Sequence, residues 1–103
     1  MNLQITHTDL RQLVGRKIRS LRKSHKWSQE TLAEFSGLSY KFIGEIERGT
    51  VNPSLDTLLS ISNALKVEIV VLFSADPLLV FTGSDIVNIR SALTSLHEIL
   101  DSK

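Results

Sequence analysis

Apolar side chains recur along this chain at helical spacing, and serines and glycines punctuate the pattern. Leu10, Leu13, Val14, Ile18 and Leu21 share one face, which predicts a first helix from Thr8 or Asp9 to about His25. Arg16, Arg19, Lys23 and Lys26 occupy the opposite face. A second helix is expected over about residues 28–36, packed through Leu32, Ala33 and Phe35. Ser28 can cap its free amides and Glu30 suits its first turn. Gly37 is placed for a left-handed stop, and Leu38 would plug the turn into the core. A third helix runs from Ser39 as N-cap to about Arg48, where Gly49 stops it. Its inner edge is apolar (Ile43, Ile46) and its outer edge polar (Tyr40, Lys41, Glu45, Arg48). Pro53 and Ser54 announce a fourth helix, with Asp56 near its positive end. Leu55, Leu58, Leu59, Ser62 and Leu65 carry its period, and it should end near Leu65 or Lys66.

The run VEIVVLF at residues 67–73 is rich in β-branched side chains, which suits a strand. Its place after four helices favours a short closing helix whose Val71, Leu72 and Phe73 seal the core. Asp76-Pro77 breaks it, and residues 78–81 read as an extended apolar connector or a strand paired with its own copy. A last helix is expected over residues 84–102. Its Ile86, Ile89, Leu93, Leu96 and Leu100 alternate at intervals of three and four, a seam narrow enough for coiled-coil-like contact. Self-association is the favoured use of that seam, against packing on its own domain. The fold class is therefore all-α: one compact unit at residues 8–73, a connector at 74–83, and a C-terminal helix at 84–103 as a dimerisation element.

Composition narrows the function. A chain of 103 residues with 42% apolar content can build one compact core. No apolar run approaches the length of a membrane span, and the first nine residues lack the apolar core of a signal peptide. With no cysteine there is no disulfide and no thiolate metal site. A cytoplasmic location is expected. The net charge of +1 hides an asymmetry. Residues 1–52 hold nine Lys/Arg against five Asp/Glu, and residues 53–103 hold three against six. A basic half followed by an acidic half fits a nucleic-acid-binding unit joined to a part with another task.

Catalysis finds little support. His7, His25 and His97 are dispersed with no metal-ligand spacing, and no glycine-rich phosphate loop is present. His25 suits a helix cap or dipole partner, and His97 a surface or dimer rim. No enzyme activity, cofactor or metal is expected. A short helix with one edge built to pack and the other to touch is what the major groove of duplex DNA admits.

The residues that carry this reading also resemble a known family. Ser28-Gln29, Gly37, Ile46-Glu47-Arg48-Gly49 and Asn52-Pro53-Ser54-Leu55 together resemble the Cro/C1-type (XRE-like) helix-turn-helix regulators. Within these the chain is most similar to short phage-repressor-like proteins and restriction-modification controller proteins. The resemblance covers about residues 8–73 and implies a five-helix, lambda-repressor-like fold, with the C-terminal helix outside it. It implies a transcriptional regulator that binds a (pseudo)palindromic double-stranded operator as a homodimer, with the third helix in the major groove. The alternative is an antitoxin-type regulator that also binds a protein partner through its acidic C-terminal half.

By the same resemblance Gln29 contacts a phosphate and helps orient the third helix. Ser39, Tyr40, Lys41, Gly44 and Glu45 hold base-facing positions. Lys41 can donate to guanine, Glu45 can accept from cytosine, and Tyr40 can touch a thymine methyl or a phosphate. Glu45 is equally suited to pairing with Lys41 or Arg48. Gly44 permits close approach to DNA or is simply a small residue tolerated there. Phe42 can lie on the sugar-phosphate backbone or beside the second helix. Arg48, Thr50 and Asn52 lie where the family grips the backbone, although Thr and Asn are also common in turns. The resemblance pairs Glu47 inward with Arg22, as a structural ion pair.

Overall fold

The computed structural model describes residues 4–75, and these contain four α-helices and one 3-10 helix. The seam of Ile86, Ile89, Leu93, Leu96 and Leu100, the connector beyond residue 75, and His97 lie outside the described residues. The helices are α1 His7–Ser24, α2 Gln29–Ser36, α3 Tyr40–Arg48 and α4 Leu55–Leu65, followed by the 3-10 helix Ile69–Phe73.

Each α-helix begins on a hydroxyl. Thr6, Ser28, Ser39 and Ser54 accept a hydrogen bond from the amide three residues on, that of Asp9, Thr31, Phe42 and Thr57 respectively. That satisfies one of the donors every helix start leaves free. The first cap corrects the expected start at Thr8 or Asp9: Thr6 Oγ1 accepts from Asp9 N at 3.0 Å, so α1 opens at His7. Each helix also ends beside a left-handed residue: Lys26, Gly37, Gly49 and Lys66 all have φ between 60° and 74°. After α3, Thr50 N reaches back to Glu45 O at 3.1 Å, and after α4, Val67 N reaches Ser62 O at 3.0 Å. These bonds close the helix ends and turn the chain sharply.

The core forms where α1 meets α3 and the 3-10 helix, and where α2 meets α3 and α4. Val14, Ile18, Leu21, Leu32, Ile43, Ile46, Leu58, Ile61, Leu65 and Leu72 are its main buried side chains. Leu13, Trp27, Leu38 and Phe42 pack against it from partly buried positions. Gly15 brings α1 and α3 together most tightly. A β-carbon there would meet Ile46 O and lie 2.6 Å from Glu47 O, so only glycine allows this approach of the two backbones.

Several expectations need correction. The fifth helix is a 3-10 helix of five residues: the left-handed turn at Lys66 restarts the chain, and β-branched Ile69, Val70 and Val71 leave little for an α-helical ladder. Val71 and Leu72 seal the core as expected, whereas Phe73 is exposed. Phe35 is not core but 61% exposed: Leu32 and Ala33 set the buried face of α2, and Phe35 falls roughly 110° from its centre at helical spacing. Leu55 and Leu59 likewise project outward from α4, and Leu10 from α1.

Candidate nucleic-acid interface

α3 is two-sided. Ile43 and Ile46 are buried while Tyr40 is 54% exposed, with Ser39, Lys41 and Arg48 also exposed. Among the described residues, the Lys41 ammonium and the Glu45 carboxylate have no ion-pair partner, so the alternative in which Glu45 pairs with Lys41 or Arg48 is not formed. Glu45 is half-buried, and its backbone oxygen is bound by both the amide and the hydroxyl of Thr50, at 3.1 and 3.2 Å. Thr50 thereby spends its hydroxyl proton on closing the turn. Asn52 is exposed beyond it.

Behind this edge lies a polar lock. Arg22 Nε donates to Glu47 Oε2 at 2.7 Å and Arg22 Nη2 to Glu47 Oε1 at 3.0 Å, joining α1 to α3. Arg22 Nη1 donates to Trp27 O at 2.9 Å, which holds the turn before α2. Gln29 Nε2 donates to Glu47 Oε1 at 3.0 Å, which ties the start of α2 to the same carboxylate. The Glu47 hydrogen bond, opposed by burial, raises the pKa of the Arg22 guanidinium above its ordinary value, with the charges of Glu47 and Glu30 adding to it. Among the described residues no buried side-chain polar atom is left without a partner.

Gly44 is buried, because the side chain of Arg48 lies across it. Phe42 is half-buried and packs against the core, with part of its ring exposed. Sequence reasoning missed Gly15, which seats α3 on α1. Its signal was present: a glycine inside a helix, beside the apolar face, marks close backbone approach. The aromatic stack of His25, Trp27 and Phe35, with centroids 4.4 and 4.8 Å apart, was also unforeseen. His25 Nε2 further lies 2.8 Å from Leu65 O, linking the ends of α1 and α4.

A stabilised helix pair, α2 and α3, joined through a left-handed glycine and presenting the outer edge of the second helix, is a helix-turn-helix. Residues 18–72 match the helix-turn-helix family HTH_3, and the chain belongs to that Cro/C1-type family of DNA-binding transcription regulators. It is 41% identical over 56 residues to the immunity repressor protein of Bacillus phage phi105, covering 54% of this chain and 39% of that one. It is 46% identical over 61 residues to control protein C.BamHI of Bacillus amyloliquefaciens, covering 58% of this chain and 75% of that one. Among solved structures it resembles the restriction-modification controller protein C.AhdI from Aeromonas hydrophila, with TM-score 0.60 and 41% identity over 61% of this chain and 96% of that one. The DNA-binding domain of the P22 c2 repressor superposes with TM-score 0.57 and 28% identity, over 79% of this chain and all of that one. The match spans well under half of the length of the phi105 immunity repressor. No helix among the described residues is long and apolar enough to cross a membrane.

Proposed function

We propose that the chain is a sequence-specific regulator that binds a (pseudo)palindromic double-stranded operator as a homodimer, with α3 in the major groove. The observation that carries this reading is the two-sidedness of α3: an anchored inner edge and an outer edge of Tyr40 and Lys41 that the described residues leave uncovered. Lys41 reads a guanine edge, and Tyr40 touches a thymine methyl or the backbone. Glu45, free of an internal partner, accepts from a cytosine amine. Arg48 and Asn52 meet phosphates, which fix register without reading sequence, and Thr50, whose two donors are bound to Glu45 O, shapes the loop that presents them. The exposed basic strip of Arg16, Arg19 and Lys23 on α1 adds long-range attraction.

Homodimerisation is supported by apolar side chains left outside. Leu10, Leu55 and Phe73 are exposed and line one cleft of about 160 Å³ together with Leu58 and Pro53. Exposed apolar clusters of this kind mark contact surfaces. Two copies of α3 would then enter successive major grooves about 34–36 Å apart.

The test is selection of duplexes from a random pool, followed by gel shifts with the enriched duplex at low and high salt. A palindromic enriched site bound far more tightly than its scrambled version is the expected result. Lys41→Ala should relax preference at one base step, by about 1–3 kcal/mol. Equal binding to both duplexes by the parent chain would overturn the proposal.

A further inference from the structure

Gly44 lies in the middle of α3, and what covers it is not the core. The guanidinium of Arg48, one turn on, folds back along the helix: its Nη1 lies 3.1 Å and its Cζ 3.8 Å from the point a β-carbon of residue 44 would occupy. From α2, Gln29 Oε1 lies 3.7 Å from that same point. A spot with no side chain of its own therefore receives a cation from α3 and a carbonyl oxygen from α2.

The orientation of the Gln29 amide follows from its other contact. The Glu47 carboxylate, paired with Arg22, only accepts, so the Gln29 nitrogen must face it, as it does at 3.0 Å. That turns Oε1 toward Gly44. An amide oxygen repels a phosphate and attracts a guanidinium. Gln29 thus turns its oxygen to draw Arg48 and keeps only the second N–H of its amide for the phosphate contact that the family resemblance implies.

We propose that Gly44 and Gln29 are positioning residues for Arg48: the vacancy at Gly44 seats the guanidinium and the Gln29 oxygen attracts it, so that Arg48 meets a DNA phosphate from over the middle of α3. This rests on the DNA-binding reading above. A charge held there is anchored to the recognition helix itself, and its direction is set through Glu47 and Arg22 by α1. Restricting a long side chain before binding lowers the ordering cost at the moment of contact.

The experiment is a salt series of equilibrium binding to a short mixed-sequence duplex, with thermal melts alongside. It compares the parent, Gly44→Ala and Gly44→Leu, each with Arg48 intact and with Arg48→Ala. Alanine removes the helix penalty of glycine and forces the guanidinium to give by only a few tenths of an ångström, so Gly44→Ala should melt at or above the parent. It should nevertheless bind DNA more weakly, and Gly44→Leu several-fold more weakly still. The Leu variant should lose about one unit of salt slope, as Arg48→Ala does, because one phosphate contact is gone. In the Arg48→Ala background both Gly44 substitutions should have no further effect. Parent-like binding by both Gly44 variants would overturn the proposal alone, as would losses that persist undiminished without Arg48, since those indicate direct collision with DNA. A parent chain that fails to bind duplex even at low salt would overturn the DNA-binding reading and this proposal with it.

Discussion

Arg22 and Glu47, 25 residues apart in sequence, face each other through two hydrogen bonds with side chains only 9% and 2% exposed. Burying two opposite charges is costly in itself, and the geometry offsets this only because each buried nitrogen and oxygen of the pair has at least one partner. Trp27 O and Gln29 complete the set. The pair thereby fixes three helices around one carboxylate.

Glu47→Ala leaves the guanidinium buried without its counter-charge, and a loss of about 3–5 kcal/mol in stability is expected. Denaturant unfolding measures it directly. DNA affinity should fall with the folded fraction, and somewhat below it because Gln29 loses the carboxylate that orients its amide toward Arg48; an unfolding midpoint equal to the parent's would contradict the role assigned. Replacing both residues together, by Met and Leu, should cost much less than the single change.

The pH dependence of this pair has a definite sign. Folding raises the pKa of Arg22, so its contribution is fully present below the unfolded value and is lost only as pH rises through the folded one. Both lie in the strongly alkaline range. Melting curves from neutral to mildly alkaline pH should show no Arg22-linked change, and the difference between parent and Arg22→Met should stay constant there.

Gly15→Ala should be among the most damaging single-methyl additions available. The new carbon meets two backbone carbonyl oxygens of α3, neither of which can swing aside. A cost at or above about 1–3 kcal/mol is expected from overpacking, read by thermal melting. Gly37→Ala meets no neighbour and suffers only from its left-handed φ of 71°, so about 1 kcal/mol is expected.

Phe35→Ala and Ile43→Ala should separate cleanly. Phe35 is largely exposed and contributes mainly a stacked contact on Trp27, worth about 0.5–1.5 kcal/mol. Ile43 is fully buried beneath α3, and its truncation should cost about 2–5 kcal/mol. Near-equal losses would mean that Phe35 belongs to the core after all.

Lys26→Gly and Lys66→Gly should each stabilise. Both lysines hold φ at 60°, where a β-carbon costs about 1–2 kcal/mol and glycine costs nothing sterically. Part of that gain is returned through the greater freedom of glycine in the unfolded chain. A net rise in melting temperature for each variant is the expected reading.

The sequence disclosed what depends on near neighbours. A cap such as Ser28 or Ser54 binds an amide three residues away, and a stop such as Gly37 needs only its own φ, so both are written locally. Sidedness is different. Phe35, Leu55 and Leu59 lie close enough to the helical stripe to pass for core, and only the arrangement of the other helices shows that none of the described residues covers them. The fifth helix failed for a reason of length: the run before Phe73 is too short and too branched for more than a 3-10 helix. In the site, Lys41 and Tyr40 were legible from the polar edge of α3. The inward turn of Gln29 was not, because it depends on a carboxylate 18 residues away.

The contact at Gly15 makes the aim of α3 a property of main chain against main chain. Rotamer changes elsewhere have no purchase on it. A library randomised at Tyr40, Lys41 and Glu45 would therefore vary the proposed reading edge while the seat of α3 on α1 stays put, which makes this scaffold suited to retargeting by surface replacement alone.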